Sequence, residues 1–404
     1  MSMLRQWQFQ LPTQILFGRG VARKLALAVR GNARRALLIG YRDCSRLAGA
    51  YAETATALAK SGVECAEFLS VDPEPQLTEA AVAGRFAVEQ DVDCVIAIGG
   101  GSVIDTAKAA ALLAASGGEL AEYVDTAPNR RPPRAALPVY AVPSTAGTGA
   151  EVTSVAVFSH SRPTGTSSGD PSVPQPAKLS ITAACLRPRA AFVDPELQVG
   201  MDREPTAAFA TDALAHAVES RLSRAANPVS ALMATRAVAL VMRELPLAMG
   251  DPEAAEPREG LALAAMLAGA ALNESGVTLA HSVAHALGSL LHMPHSRAVA
   301  LATPLGLRFN REACVPALAE LADACELAEF SPESRAERFV AAVEELLQSA
   351  GLLERRALPE ESSPTELAAQ LAAAAFQHTP MPLRLNPVRI DERTLAELLT
   401  QWLK

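Results

Sequence analysis

Asp93-Cys94-Val95-Ile96-Ala97-Ile98-Gly99-Gly100-Gly101-Ser102-Val103-Ile104-Asp105-Thr106-Ala107-Lys108 decides how this chain is read. Residues 94–98 form a short unbroken apolar run, the signature of a strand covered on both faces. Three glycines follow, and residues 103–115 then carry the small and apolar side chains of a helix. In this order, the glycines let a backbone approach a pyrophosphate closely. The helix N-terminus aims free N–H groups and a partial positive charge at the same point. Ser102 is expected to cap the helix. The stretch is neither the GxGxxG fingerprint nor a Walker A loop.

The same alternation extends on both sides. Arg35 to Gly40 reads as a buried strand, 46–61 as a helix, Glu64 to Leu69 as a strand and 77–90 as a helix. Pro138 to Val142 reads as the strand after the glycine-rich helix, and Trp7 to Phe17 as an extended edge strand. Strands alternating with helices imply βαβ units and a parallel sheet. A second loop, Pro143-Ser144-Thr145-Ala146-Gly147-Thr148-Gly149-Ala150-Glu151-Val152, follows a strand too. Its hydroxyls and glycines suit phosphate, ribose or a nicotinamide amide, and equally an ordinary helix-capping turn. Residues 161–177 are rich in Pro, Ser and Gly and read as a loop between strands 153–159 and 178–182.

From about Pro195 only helical periods remain, at 205–223, 227–243, 259–273, 277–291, 314–325, 334–350, 364–376 and 391–403. The expected organisation is an α/β dinucleotide-binding domain over 1–195 and an all-helical domain over 196–404, with a site in the cleft between them.

Composition narrows the function. With 404 residues, half of them hydrophobic and a fifth charged, the chain suits a soluble protein of more than one domain. A formal net charge of −8 counts against non-specific nucleic-acid binding and against anionic membranes. The six cysteines form no CxxC pair and read as buried, reduced thiols of a cytoplasmic protein. No signal peptide is read at the N-terminus, and the apolar stretch near 260–272 is too short and glycine-interrupted for a membrane span.

Five of the seven histidines fall between 216 and 295. Asp212 and His216 lie four apart and share a helix face, as do His281 and His285. His295 follows Pro294, where a loop would turn it back toward His281. A carboxylate with neutral imidazoles suits a divalent first-row metal, iron or zinc. Spacing leaves open which of His281, His285 and His295 bind it, and His160, His292 and His378 read as ordinary residues.

Taken together these motifs resemble the iron-containing (group III) alcohol dehydrogenase family. The resemblance runs end to end through Phe17-Gly18-Arg19-Gly20, the 99–108 and 143–153 stretches, Val193-Asp194-Pro195, Thr211 to His216 and the histidine block. It implies an N-terminal nucleotide-binding α/β domain with a parallel sheet and an all-α metal-binding domain, as in the dehydroquinate synthase-like superfamily. It implies Asp212, His216, His281 and His295 as ligands of one divalent metal, Fe(II) or Zn, and His285 as a non-ligand that relays a proton. It implies that Gly99, Gly100, Gly101, Ser102 and Asp105 hold the cofactor pyrophosphate region. Ser144, Thr145 and Thr148 then lie along the cofactor, and Lys178 near its ribose. The implied activity is reversible hydride transfer between NAD or NADP and a small alcohol or aldehyde, in a homodimer. A maleylacetate-reductase-like enzyme with a cationic pocket and a dehydroquinate-synthase-like lyase are the alternatives.

Three features depart from the family pattern. The acid often found after the first long strand is replaced by Gly40-Tyr41-Arg42-Asp43, where Arg42 is suited to accept a phosphate. The common Pro-His-Gly reads Pro294-His295-Ser296, and the 161–177 loop looks inserted.

Overall fold

A computed structural model describes residues 6–160, 177–354 and 363–404. The first part runs β1 (Gln14–Phe17), α1 (Leu25–Val29), β2 (Arg35–Tyr41), α2 (Ser45–Lys60), β3 (Glu64–Val71), α3 (Leu77–Glu89), β4 (Cys94–Gly99), α4 (Gly101–Ser116), β5 (Val139–Pro143), β6 (Val155–His160), β7 (Ala177–Thr182) and β8 (Ala190–Val193). Six of these strands form one sheet in the order β1-β8-β5-β4-β2-β3, parallel throughout. β6 and β7 form a separate antiparallel pair.

Alternation along each strand covers both faces of the sheet. Leu38, Ile96 and Ile98 pack against Leu47, Tyr51 and Leu58 of α2. Leu37, Ile39, Val95 and Ala97 turn the other way, onto Ala83 and Ala87 of α3 and Val103, Ile104, Ala107 and Ala111 of α4. Each fully buried leucine or isoleucine contributes about 1.5–3 kcal/mol over an exposed one.

β2 pairs with β3 on one side and with β4 on the other, so the direction of sheet growth reverses between β2 and β4. Open α/β sheets take ligands in the crevice beyond the strand ends at such a reversal. Tyr41 and Gly99 end these two strands, and the register Gly99↔Pro143 sets the next loop alongside.

The remainder is helical among the described residues: α5 (Arg203–Leu222), α6 (Pro228–Gly250), α7 (Ala255–Ser275), α8 (Leu279–Leu291), α9 (His295–Asn310), α10 (Val315–Ala324), α11 (Pro332–Ser349), α12 (Pro364–His378), α13 (Pro380–Leu385) and α14 (Glu392–Leu403). The two parts meet without side chains at one point. A Cβ on Gly149 would fall 2.4 Å from the Cα of Gly269 in α7, and one on Gly269 would fall 2.6 Å from the Cα of Gly149.

Several expectations are corrected. The opening strand is edge-located but spans only Gln14–Phe17. His295 is not on a loop but is the first residue of α9, a helix that the periodicity did not reveal. Pro294 stands at its N-cap, where no N–H is missed, and Pro304 lies inside it. Burial of Val299, Leu301 and Leu305 outweighs the proline cost of about 3 kcal/mol. All six cysteines are free, but only Cys94 and Cys314 are buried and the other four are half-buried. Of the 161–177 loop, residues 161–176 lie outside the described residues. Among those described, no single helix is long and apolar enough to cross a membrane.

Candidate metal and dinucleotide site

The 20-residue helix α5 is buried along most of its length and carries Asp212 and His216 one turn apart. α8 and α9 bring His281 and His295 to the same carboxylate. Asp212 Oδ1 lies 3.7 Å from His216 Nε2, 3.7 Å from His281 Nε2 and 3.5 Å from His295 Nε2. Ligand atoms of Asp212, His216 and His281 all fall within 4.8 Å of one another. Four ligands about 2.1 Å from one ion in a tetrahedral array stand roughly 3.4 Å apart, so these separations suit a shared ion.

Two of the atoms facing the centre are left unsatisfied by the protein. Asp212 Oδ1 and His281 Nε2 are sealed from solvent with no hydrogen-bond partner. Buried polar atoms are otherwise nearly always paired. An orphaned carboxylate oxygen converging with imidazole nitrogens fits a divalent first-row cation.

Electrostatics follow the same geometry. Burial opposes ionisation of Asp212, yet His216 and the other imidazoles hold its carboxyl well below the usual range. Burial pushes His216 down to about 4 despite Asp212. His281 is buried as well, but the Glu219 and Asp212 carboxylates raise it to about 10.

Glu219 escaped the sequence reading. It lies seven residues beyond Asp212 on the same face of α5, and that spacing is the signal that would have found it. Its Oε2 is hydrogen-bonded to His281 Nδ1, which turns Nε2 toward Asp212. Its Oε1 accepts from the Thr278 N–H at 3.0 Å, from the Thr278 hydroxyl at 2.8 Å and from the His281 N–H in the first turn at 3.3 Å, capping α8. Carboxylates that orient metal-binding histidines in this way are a recurrent second layer of such sites. His285, one turn after His281, lies outside the cluster around Asp212. Its ring is 5.4 Å from that of His295, burial depresses its pKa well below the ordinary value, and its Nδ1 has no partner.

The glycine turn after β4 and the loop after β5 pack on each other. A Cβ on Gly100 would come 3.0 Å from Thr145, and one on Gly101 would come 2.6 Å from Thr148, so the pair of glycines admits the two threonines. The Gly100 N–H donates to Tyr41 Oη at 3.2 Å, and the Ser144 N–H donates to Gly99 O at 3.0 Å. α4 starts at Gly101 without a side-chain cap, leaving an N-terminus suited to an anion.

One expectation fails here. Ser102 does not cap α4. It is the second helical residue, and its Oγ accepts from the Glu74 N–H at 3.2 Å. Both carboxylate oxygens of Asp105 are engaged within the α/β part. Its Oδ2 accepts from the Val157 N–H at 2.9 Å and its Oδ1 from Lys108 Nζ at 3.3 Å, in a buried knot that ties α4 to β6. Lys178 Nζ donates to Ser159 Oγ at 2.8 Å and to Glu74 Oε2 at 2.9 Å. At the end of β2, a cavity of about 470 Å³ is lined by Tyr41, Arg42, Asp43, Cys44 and Ser45. Arg42 beside it is paired with Asp72, Nε to Oδ1 at 3.1 Å and Nη2 to Oδ2 at 3.2 Å.

The chain matches known proteins along most of its length. Residues 12–195 match the family described as iron-containing alcohol dehydrogenase, and residues 206–403 match its C-terminal counterpart. The NAD-dependent methanol dehydrogenase of Bacillus methanolicus is 30% identical over 346 residues, 85% of this chain and 87% of that protein. The probable alcohol dehydrogenase EutG of Salmonella typhimurium is 30% identical over 398 residues, 98% of this chain and 95% of that one. A crystal structure of 1,3-propanediol oxidoreductase superposes with a TM-score of 0.86 at 28% identity, covering 98% of this chain and all of its own. The protein is thus an oxidoreductase, and the chain belongs to the iron-containing alcohol dehydrogenase family.

Proposed function

We propose that this protein interconverts a small alcohol and its aldehyde with NAD as the hydride carrier and one divalent metal, Fe(II) rather than Zn, as cofactor. The observation that carries the reading is the convergence of His216, His281 and His295 on the unpartnered Asp212 Oδ1. The names of the relatives, an NAD-dependent methanol dehydrogenase among them, support the alcohol and the dinucleotide.

In this reading Asp212, His216, His281 and His295 hold the metal, and Glu219 keeps the His281 tautomer with Nε2 inward. When bound, the metal supplies Lewis-acid polarisation of a carbon–oxygen bond and the nicotinamide supplies or accepts the hydride. The α4 N-terminus and Gly100–Gly101 receive the pyrophosphate, with Thr145 and Thr148 along the adjoining wall. His285, neutral by burial and with a free Nδ1, carries the substrate hydroxyl proton out of the site. The chain divides near residue 195 into the part that binds the dinucleotide and the part that binds the metal.

Lys178, the lysine among these groups, is neutralised by Glu74, which counts against an acidic substrate. The test is metal analysis of anaerobically purified protein with an NADH and NADPH screen against short aldehydes. Turnover at full rate by a demetallated His216→Ala variant refutes the reading.

A further inference from the structure

Glu74 is not needed by the reaction as outlined, yet it touches three separate parts of the site. It sits between β3 and α3 with φ at 54°, a left-handed backbone that non-glycine residues seldom adopt. Its N–H donates to Ser102 Oγ on the glycine-turn helix at 3.2 Å. Its Oε2 accepts from Lys178 Nζ at 2.9 Å, and Lys178 is steadied in turn by Ser159, its neighbour across the β6–β7 pair. Its Oε1 accepts the backbone N–H of His295 at 3.2 Å.

That last bond matters because of where His295 stands. It is the first residue of the 16-residue helix α9, whose own N-cap, Pro294, offers no side chain to its free N–H groups. A carboxylate from a distant part of the chain supplies the missing acceptor and suits the positive end of the helix. Among the four residues around the centre, His295 is also the most open, with a side chain 28% exposed against 4–9% for the other three. α8 is held in the same manner, with Glu219 Oε1 accepting the first-turn N–H of His281 at 3.3 Å. Each helix that delivers a histidine from outside α5 therefore has its N-terminus fixed by a carboxylate remote in sequence.

We propose that Glu74 is a positioning residue. By capping α9 from the α/β layer it fixes His295 as the fourth ligand and ties that ligand to the glycine turn through Ser102. This rests on the metal-ligand reading given above. Loss of the cap frees His295 to swing away, leaving a three-residue site.

The test uses the full-length protein without metal, titrated with Co(II) and followed by visible absorption. Glu74→Asn keeps a residue that tolerates the left-handed backbone but is one methylene too short to reach His295. Glu74→Gln retains an oxygen acceptor of the original length. The expected result is Co(II) affinity 10–100-fold weaker in Glu74→Asn, as for other outer partners of metal ligands, with a spectrum like that of His295→Ala. Glu74→Gln should restore the wild-type spectrum, which a loss of general stability would not produce. Wild-type affinity and spectrum in Glu74→Asn, with His295→Ala impaired, overturn the role of Glu74 alone. Wild-type affinity in both His295→Ala and His216→Ala overturns the ligand set instead.

Discussion

The hydrogen bond between His281 Nδ1 and Glu219 Oε2 decides which edge of the His281 ring meets Asp212. Both side chains are almost fully buried, so no water substitutes for either partner. Glu219→Gln keeps the shape but presents a weaker and partly donating group. Metal affinity should fall 10–100-fold, read as the metal retained after dialysis against a graded chelator. The fold should survive, because the oxygen of the introduced amide still accepts from Thr278. Unchanged metal retention would show that the tautomer is set elsewhere.

Gly101 and Thr148 are in contact across the two loops, so a methyl on Gly101 must displace a stiff β-branched side chain. Gly101→Ala should weaken dinucleotide binding at least tenfold in fluorescence titration while leaving the metal content intact. Adding Thr148→Ala should recover part of the loss, because the added methyl then has room. Equal loss in the single and double variants would exclude the steric account.

Glu151 is buried beside the second loop, and burial raises its pKa to about 7 although Lys108 opposes the shift. In the unfolded chain it titrates near 4.3. Between these values the folded protein holds a proton that the unfolded chain has released, so stability falls as pH rises across the window. The full penalty, on the order of 3 kcal/mol, is reached above pH 7. Glu151→Gln should therefore melt higher than the wild type at pH 8 and nearly equal to it at pH 4.5, as calorimetry at the two pH values would show. A constant difference between the two conditions would contradict this.

Arg42 is engaged by Asp72 through two hydrogen bonds at the rim of the cavity at the end of β2, and in the function proposed above that cavity takes the adenosine ribose. A guanidinium already paired with a carboxylate is a poor receptor for a 2′-phosphate. Wild-type enzyme should accordingly prefer NADH. Asp72→Ala should shift the ratio of kcat/KM values toward NADPH by roughly tenfold, the worth of one charge-assisted hydrogen bond. No shift would mean that Arg42 lies away from the ribose.

Sequence periodicity carried most of the fold. β2 and β4 are legible because their apolar runs are short and bounded by turns, and Asp212 and His216 because a four-residue spacing survives any helix boundary error. α9 is hidden because Pro294 and Pro304 mask its period, and its existence depends on burial against α8 and α12, which no local pattern records. Within the legible motif, Ser102 is not the cap that the motif implies, and Asp105 has partners that it does not reveal. A two-residue difference in where α4 begins moves Ser102 from cap to first turn, and the partners of Asp105 include β6, some fifty residues on. Glu74 is invisible locally, since its role exists only once α9 is docked against the α/β layer.

The approach of Gly149 to Gly269 has a further result for the crevice. Where two layers touch through side chains, each rotamer change alters their spacing by a fraction of an ångström. At this one point, immediately beside Thr148, backbone meets backbone, while Val152, Val193, Ala262 and Met266 pack side chain on side chain around it. At the Thr148 end of the second loop the approach to α7 is therefore set by atoms that have no rotamers to change.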